Sequence, residues 1–246
     1  MSIVYSNTSS KNGLLQLIER NLKLGDGGIT GNTTRKAEFT ADINITLDKV
    51  WDTILPNMGT WQLDDSNHTD YPIITTNLVS GQRDYSFTTD EQGNIILDIY
   101  KIMVADSSGV YFEIFPVDVQ SQSETLGFYD GQNKTGKPTR YDKTANGIFL
   151  DLIPSYNYTN GLKIYINREA SYFTTSDTTK KAGFAGIFHE YLALRPSYMY
   201  AYRNGLKNVN ILKQEMLEME QAIENHYANR AKDEKVTLRV QRGNYE

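Results

Sequence analysis

The sequence has 246 residues, no cysteine and a formal net charge of −5 at pH 7. A chain of this length forms one large domain or two small ones, and it buries enough surface to fold without covalent staples. The missing cysteine excludes disulfides, thiolate metal sites and thiol nucleophiles, and the acidic balance argues against wrapping nucleic acid through a broad basic face.

The start of the chain and its apolar runs indicate where the protein is made. No apolar run approaches the ~20 residues that span a bilayer. The first residues lack both a basic start and an apolar stretch, so we expect no secretory signal peptide and a protein made in a cytoplasm. The 17 tyrosines are typical of broad contact surfaces that stay partly exposed to solvent.

Two helices are predicted at the N-terminus. In the first, Ser10 is the expected N-cap, and leucine and isoleucine recur at helical spacing from Leu14 to Leu22. A glycine-rich loop from Gly25 ends this helix; it lacks the Gly-Lys-Ser/Thr of a phosphate cradle, so a mobile linker is expected. The second helix spans residues 35–55, and its apolar stripe is more typical of a core than of a seam to a neighbour. The stripe consists of Phe39, Ile43, Leu47, Val50 and Ile54.

Between residues 61 and 173 the hydrophobic period changes to two, which predicts six to eight mostly antiparallel strands. The run 95–104 is apolar enough for a central strand buried on both faces. Ser108-Gly109 predicts a hairpin turn, and residues 117–135 predict an exposed polar loop. This pattern indicates a small sandwich or a partly closed barrel.

The segment 136–173 predicts a three-stranded antiparallel meander. Its Asn-Gly pairs at 146–147 and 160–161 tolerate positive φ, and each lies between apolar or alternating runs. The alternating run 162–166 predicts one buried face. We interpret this meander as a spacer that holds the helical ends of the chain in fixed relation.

Two further helices are predicted after the strands. Ser176 or Asp177 is the expected cap of the first, which Pro196 kinks and Asn204-Gly205 ends. The last helix carries an apolar seam with heptad spacing, which favours packing on the previous helix as an αα-hairpin. The seam consists of Val209, Leu212, Met216, Met219, Ile223, His226 and Tyr227.

The elements together predict an α+β fold. N-terminal helices and a C-terminal αα-hairpin frame a mostly antiparallel β-sandwich or partly closed barrel. The predicted domains are residues 1–58 (N-terminal helices with the glycine-rich linker), 59–175 (β domain), 176–232 (helical hairpin) and 233–246 (an extended arm).

The extended arm alternates apolar and polar residues, and no neighbouring segment pairs with it. Such a strand either adds to the sheet of another subunit or is a frayed tail. The candidate inter-subunit residues in the arm are Val236, Leu238, Arg239, Val240 and Arg242. The candidate helical interface comprises Tyr198, Tyr202, Met216, Met219 and Ile223.

The motifs of catalysis and metal binding are incomplete in this sequence. His189-Glu190 begins like the zinc-protease helix motif, but Ala193 occupies the position of the second histidine, so a hydrogen-bonded structural histidine is expected. His226 is expected to pack on the helical seam. His68 lies in an acidic loop without calcium-site spacing, so a solvated turn is favoured over a cation site. The incomplete motifs favour a binding or structural role, and we expect no catalytic residue, no cofactor and no metal.

The order of several short motifs resembles a known family. The motifs are Trp-Gln-Leu-Asp-Asp at 61–65, Gly-Gln-Arg-Asp-Tyr at 81–85, Gly-Lys-Pro-Thr-Arg-Tyr at 136–141 and Leu-Ile-Pro at 152–154, before a Tyr-rich αα-hairpin. This order resembles the tailed-bacteriophage head-to-tail connector (adaptor) proteins, which bind below the portal. In that family G-Q-x-x-Y, G-x-P-x-x-Y and L-x-P segments recur before C-terminal helices. The resemblance covers about residues 40–230.

The resemblance implies a non-enzymatic ring, twelve-fold to match the portal, with a DNA channel along its axis. Its partners would be the portal protein, neighbouring copies and tail proteins, with transient non-specific contact to packaged DNA and no membrane. The ring would lie at the head–tail junction of the virion after assembly in the host bacterial cytoplasm, and the arm would contact a neighbour or dock on the portal. The Asn- and Tyr-rich composition suits a short-tailed phage, such as one of the crAss-like group.

Three alternatives stay open from the sequence. The first is a tail hub, collar or baseplate component with a β-sandwich. The second is a carbohydrate-binding β-sandwich protein or a glycosidase, because tyrosines on a β scaffold suit sugar contacts. The third is a soluble assembly scaffold that is absent from the mature particle.

Overall fold

The computed structural model describes residues 3–57, 73–90, 93, 95–117 and 134–230 of the chain. Four features predicted from the sequence lie outside these residues: the segment 61–65, the acidic loop around His68, most of the loop 117–135 and the arm 233–246. The expectations for those four features therefore stay predictions.

The described residues fall into two compact units. A helical unit lies within Met1–Gly59 and Tyr172–Glu246, and a β unit lies within Thr60–Ser171. The helices of the first unit are α1 (Leu14–Leu22), α2 (Thr33–Asn57), α3 (Tyr191–Arg203) and α4 (Val209–Arg230). Helix α3 packs on the other three, and α2 also packs on α4. The N- and C-terminal helices thus share one core, which corrects the interpretation of the segment 136–173 as a spacer between two helical ends.

Helix α1 begins later than its predicted cap. Ser10 is not the N-cap, because its N–H donates to Asn7 Oδ1 (3.0 Å) in a preceding turn, and the helix starts after Gly13. A Cβ at position 13 would lie 2.4 Å from the backbone nitrogen of Asn7, so only glycine fits there. At the other end, Lys23 adopts the left-handed conformation (φ 55°) and closes the helix before the glycine-rich loop.

Helix α2 confirms the predicted core stripe. Asn32 precedes the helix, and its Oδ1 accepts a hydrogen bond from the N–H of Arg35 (3.0 Å), as an N-cap does. The apolar stripe is buried along its whole length. The buried residues are Phe39, Ile43, Leu47, Val50 and Ile54. The stripe therefore belongs to the core of the helical unit.

The helix predicted from Ser176 or Asp177 begins only at Tyr191, after the 3₁₀ turn Gly186–Phe188. The preceding residues form turns and an isolated bridge rather than a helix, and part of them pairs with the N-terminal segment. The N–H of Tyr5 donates to Lys180 O (2.8 Å), and Val4 forms an antiparallel bridge with Lys181. These long-range bonds outweigh the local helical signal.

The end of α3 confirms the predicted Asn-Gly stop. Gly205 has φ 63°, its N–H donates to Tyr202 O, and the N–H of Leu206 donates to Ala201 O (2.9 Å). These two bonds form a Schellman motif. Helix α4 then packs against α3 as the predicted αα-hairpin. Pro196 lies inside α3.

The β unit is built around one curled sheet. Its strands are β1 (Ile73–Leu78), β2 (Asp84–Ser86), β3 (Ile96–Ala105), β4 (Tyr111–Pro116), β6 (Arg140–Thr144), β7 (Gly147–Leu150) and β9 (Tyr158–Arg168), and the short β5 (Thr135–Gly136) and β8 (Ile153–Pro154) form a separate pair. The order in the seven-stranded sheet is β1-β9-β3-β4-β6-β7-β2. Every neighbouring pair in that sheet is antiparallel except β4 and β6.

The topology forces this sheet to curl. Strands β1 and β2 form its two edges, yet they are consecutive in the chain and joined by residues 79–83. From Leu78 to Asp84 the chain takes six Cα steps, so the connection spans at most about 22 Å, less than the width of seven flat strands. The sheet is therefore a half-barrel, which confirms the prediction of a partly closed barrel. Its interior holds the buried side chains of Ile74, Leu78, Tyr85, Ile102, Val104, Ile114, Tyr141, Ile148, Leu150, Leu162, Ile164 and Ile166.

The predicted three-stranded meander at 136–173 is wrong in its pairing. The hairpin β6–β7 does form, but its two-residue turn is Ala145-Asn146, and Gly147 is the first residue of β7. Gly147 is needed because a Cβ there would lie 2.1 Å from Tyr85 O in β2. Asn160-Gly161 is not a turn. Asn160, at φ 54°, lies inside β9, beside a register shift in its pairing with β1. Strand β7 pairs with β2 and β6, while β9 pairs with β1 and β3.

The strand predicted at 95–104 is central in the sheet but is not buried on both faces. Only its second half is buried, at Ile102, Val104 and Ala105. Its first half pairs with β9 and, at Ile96, donates a backbone hydrogen bond to Thr88 O (3.1 Å), whereas β4 pairs only with the second half.

Candidate interaction surfaces

Three of the sequence motifs meet at one end of the half-barrel. The N–H of Gly81 donates to Pro154 O (3.0 Å), and Gly136 pairs with the same Pro154 in the β5–β8 ladder. The Arg83 side chain donates from Nε to Leu150 O (3.1 Å) and from Nη2 to Asp151 O (2.9 Å). We call the residues 81–85, 136–141 and 150–154 the motif junction.

Asp151 links two parts of the motif junction. Its Oδ1 accepts the N–H of Thr139 (3.0 Å) and of Leu152 (2.9 Å), and its Oδ2 accepts the Thr139 hydroxyl (2.7 Å). The two motif tyrosines, Tyr85 and Tyr141, are buried in the half-barrel. The motif residues thus support one another structurally, and their polar groups are used inside the fold.

Two β-bulges in β3 present apolar side chains to solvent. In the pairing of β3 with β9, Leu97 is an extra residue between the pairs Ile96–Arg168 and Asp98–Asn167. Tyr100 is likewise an extra residue between the pairs Ile99–Ile166 and Lys101–Tyr165. Leu97 is 47% exposed and Tyr100 is 49% exposed. Bulges re-aim side chains and are common beside functional sites. We call Leu97 and Tyr100 the bulge pair.

A groove of about 220 Å³ lies next to the bulge pair. It is bounded by the start of β3, residues 87–88 and the turn between β6 and β7. Lys143 reaches across it to form an ion pair with Asp98. Ile95, at the same end of β3, is also exposed. This surface was not predicted, because the apolar run 95–104 is typical of a strand buried on both faces.

The predicted helical interface is divided between core and surface. Met216 is 9% exposed and Ile223 is 2% exposed, so their side chains already contact the interior of the helical unit. Tyr202 is 66% exposed, and its ring lies 6.2 Å from that of the half-buried Tyr198. Met219 is half-buried. Tyr198, Tyr202 and Met219 keep surface for a partner.

The candidate residues of the arm, Val236, Leu238, Arg239, Val240 and Arg242, lie outside the described part of the chain. Exposed Ile211, near the start of α4, was not singled out by the sequence pattern. It lies at the loop end of the αα-hairpin, as Tyr202 does.

His189 is a structural residue, as predicted. It is fully buried; its Nε2 is 2.8 Å from Phe184 O, and its Nδ1 is 3.2 Å from the backbone nitrogen of Ile3. The tautomer protonated at Nε2, assigned from this network, satisfies both contacts. His226 is exposed, although its ring lies edge-on to that of Phe188 at 5.2 Å, so it contacts the seam from the surface and is not buried in it.

The glycine-rich loop is held by a buried carboxylate rather than being a mobile linker. Glu19 is 4% exposed, and its Oε1 accepts the N–H groups of Ile29 and Thr30 (both 2.8 Å) and the Thr30 hydroxyl (3.0 Å). Glu19 also lines a cleft of about 380 Å³ whose rim carries Arg20 and Lys23. The prediction missed this because the acceptor comes from the preceding helix, whereas the loop sequence alone is typical of a flexible linker.

Tyr191 has the most perturbed ionisation in the helical unit. The pKa of Tyr191 is raised to about 12, mainly by burial and also by the nearby carboxylates Glu220 and Glu224, while Arg195 acts to lower it. Burial also raises the pKa of Asp42, against the lowering effect of Arg203. Neither group belongs to a metal-ligating cluster among the described residues.

Among the described residues, no three histidine, aspartate or glutamate side chains come together as a metal site would require. The helices described here are also too short or too polar to cross a membrane. The chain matches no model of a known protein family, and it matches no curated protein sequence.

Proposed function

We propose that the protein is a structural virion component that forms a head-to-tail connector ring between the portal and the tail of a bacteriophage. The observation that carries this proposal is the motif junction. Three motifs that resemble those of the connector family are separated in sequence, yet they bond to one another through Gly81, Arg83, Gly136, Thr139 and Asp151. Short motifs that bond to one another in the fold support membership of a protein family more strongly than the same motifs would if they lay apart.

The described surfaces are consistent with a protein that functions by contact. The β unit presents the bulge pair, and the helical unit presents Tyr202 and Ile211. Exposed apolar side chains at defined positions mark contact sites more often than catalytic ones. A ring requires two different surfaces on each copy, because its contacts are heterologous. The formal net charge of −5 would limit adhesion of DNA to the lumen.

In this proposal the protein is not an enzyme. Its partners are the portal protein, neighbouring copies in a twelve-fold ring and tail proteins, with packaged DNA passing through the lumen. It is located at the head–tail junction after assembly in the bacterial cytoplasm.

The test is to mix the purified chain with the portal protein of the same phage and to examine the mixture by electron microscopy and native mass spectrometry. We expect a closed ring stacked on the portal. A chain that leaves the portal bare would contradict the proposal, and binding to tail proteins alone would favour a tail hub, collar or baseplate component. A glycan array serves as the control for the carbohydrate-binding alternative, and we expect no hits.

A further inference from the structure

Basic side chains gather where the loop of the αα-hairpin meets the end of α1. The Asn208 side chain donates from Nδ2 to Asn21 O (2.8 Å), which holds the loop between α3 and α4 against the last turn of α1. Arg20 and Lys23 lie within two residues of Asn21, and Lys207 precedes Asn208 in the loop. We call Arg20, Lys23 and Lys207 the basic patch. Tertiary packing forms it from two distant parts of the chain.

The charge of the basic patch is not neutralised by the acidic residues around it. Its three residues are exposed, and none of them forms an ion pair within the part of the chain that the structure describes. Glu19, the neighbouring acid on α1, is buried, and its Oε1 accepts bonds from the glycine-rich loop. Asp26 pairs with Lys11 (3.1 Å). The segment 191–214, which contains α3 and the loop, has four basic residues and no acidic one.

The helix ends account for only part of this charge. Arg20 and Lys23 lie at the C-terminus of α1, where a cation complements the helix dipole. Lys207 lies just before the N-terminus of α4, where the dipole disfavours a cation. A cation that the fold itself disfavours, and that has no ion pair among the described residues, indicates an anionic partner outside the chain.

We propose that the basic patch contacts the phosphate backbone of double-stranded DNA. The inference rests on the proposed function, which supplies the DNA by passing it through the ring. Phosphates follow one another at about 3.4 Å along each strand, so several of them can meet three clustered cations at once. Such contacts are independent of sequence and let DNA slide, as a channel requires. The net charge of −5 confines the attraction to this local region.

Two more cations extend the positive region. Arg203 and Lys213 are exposed on either side of the loop. Arg203 also acts on Asp42 and lowers its pKa, so part of its charge is offset within the helical unit. The three residues of the basic patch are therefore the ones to test.

Fluorescence anisotropy of a labelled duplex of about 24 base pairs, titrated with the purified chain at about 50–200 mM salt, measures the contact. We expect a dissociation constant of about 10–100 µM at the lowest salt concentration. The plot of log affinity against log salt concentration should have a slope of about −2.7, because three phosphates are neutralised. The triple variant Arg20→Glu, Lys23→Glu and Lys207→Glu should bind at least ten-fold more weakly.

The matched control has the same net charge as this triple variant. It carries Lys49→Glu, Lys134→Glu and Lys181→Glu, at exposed lysines away from the basic patch. Both triple variants should keep the circular dichroism spectrum of the parent chain. Lys207→Gln, a single change in an exposed loop, is the milder second variant, and it should make the salt slope shallower by about 0.9.

The remaining outcomes each overturn the inference or the proposed function. Equal weakening in both triple variants would show that net charge and not the basic patch is responsible. No binding by the parent chain, or binding that salt does not weaken, would exclude the phosphate contact. Loss of portal binding with unchanged DNA affinity would assign the basic patch to an acidic surface of the portal.

Portal binding separates the inference from the proposed function. Rings on the portal whose DNA affinity is the same with and without the basic patch would remove the inference and leave the connector standing. DNA binding that depends on the basic patch, in a chain that forms no ring on the portal, would remove the connector and keep the DNA contact.

Discussion

At the scale of single residues, Glu19 shows how one buried carboxylate orders a glycine-rich loop. Three donors from Ile29 and Thr30 converge on one of its oxygens. Bonds to an ionised acceptor are stronger than those between neutral groups. The loop contains Gly25 and Gly27 at positive φ, yet it has a defined conformation because its backbone amides are bound.

We expect Glu19→Ala to lower the free energy of unfolding by about 2–4 kcal/mol, because it leaves buried backbone donors without an acceptor. Urea denaturation followed by circular dichroism measures this change. Glu215→Ala is the matched control, since Glu215 is exposed on α4, and we expect less than about 0.5 kcal/mol for it. An equal effect of the two substitutions would contradict the role of Glu19.

Tyr191 makes stability depend on pH in the alkaline range. Its pKa is raised from 10.0 to about 12, mainly by burial. The folded state therefore keeps the phenol proton that the unfolded state loses. The contribution is fully present below pH 10 and is lost as the pH rises toward 12, by about 2–3 kcal/mol in total.

Tyr191→Phe tests this dependence, because it removes the ionisable group and keeps the ring. We expect the unfolding free energy of the variant to fall less steeply between pH 10 and 12 than that of the parent chain. Urea denaturation at a series of pH values gives both slopes. Tyr202→Phe, at an exposed tyrosine, should leave the slope unchanged, and identical slopes for all three proteins would refute the assignment.

At the scale of elements, β3 departs most from its sequence pattern. The apolar run predicts a strand buried on both faces, but the two bulges turn Leu97 and Tyr100 out of the ladder. β4 covers only the second half of β3. In the first half, Ile96 and Ile99 pack against the interior cluster, while about half of each of the Leu97 and Tyr100 side chains stays exposed.

We expect Leu97→Asp combined with Tyr100→Asp to reduce assembly at least ten-fold while it leaves the unfolding free energy within about 0.5 kcal/mol, because both side chains are exposed. Native mass spectrometry with the portal measures assembly. Val110→Asp is the matched control, since Val110 is an exposed apolar residue elsewhere in the β unit. Equal loss from both variants would show that added charge alone is responsible.

Gly147 determines how closely β7 approaches β2. A Cβ there would lie 2.1 Å from Tyr85 O, so we expect Gly147→Ala to destabilise the β unit by more than about 2 kcal/mol. Gly136→Ala is the control, because its Cβ would meet only the flexible Leu152 side chain at 3.3 Å. Thermal unfolding followed by near-ultraviolet circular dichroism distinguishes them, and similar melting temperatures for the two variants would contradict the close approach.

At the scale of the whole molecule, the helical unit is assembled from two separated parts of the chain. Helix α3 packs on α1 and α2, and the N-terminal segment pairs with residues 178–181. Phe173 exchanges two hydrogen bonds of 2.9 Å with the Asn44 side chain. All these contacts lie within the helical unit, and the β unit has an interior cluster of its own.

Because the helical unit has its own core, we expect it to fold when residues 60–171 are replaced by about 12 glycine and serine residues. A linker of that length spans about 20 Å on average. It must reach from the end of α2 back to the level of Asn44, because Asn44 is bonded to Phe173. That distance is also about 20 Å, since a helix rises 1.5 Å per residue. Circular dichroism should show a cooperative helical transition. Residues 1–57 alone should not fold, and helical melting by that fragment would contradict the shared core.

The sequence by itself determined the features that depend on local periodicity and on turn chemistry. These are the stripe of α2, the Asn204-Gly205 stop, the place of the β6–β7 hairpin and the α+β class. Each of them depends on residues close in the chain, whose spacing and conformational preferences act directly.

Only the tertiary structure decided which strands pair. It also decided that residues 174–185 are not helical and that Glu19 holds the glycine-rich loop. Asn160-Gly161 carries the same turn signal as Asn146-Gly147, but pairing with β1 makes it part of one long strand. Likewise, Glu19 and the motif junction join residues through long-range hydrogen bonds. Local preferences amount to about 1 kcal/mol or less per residue, so several long-range hydrogen bonds and a shared core override them.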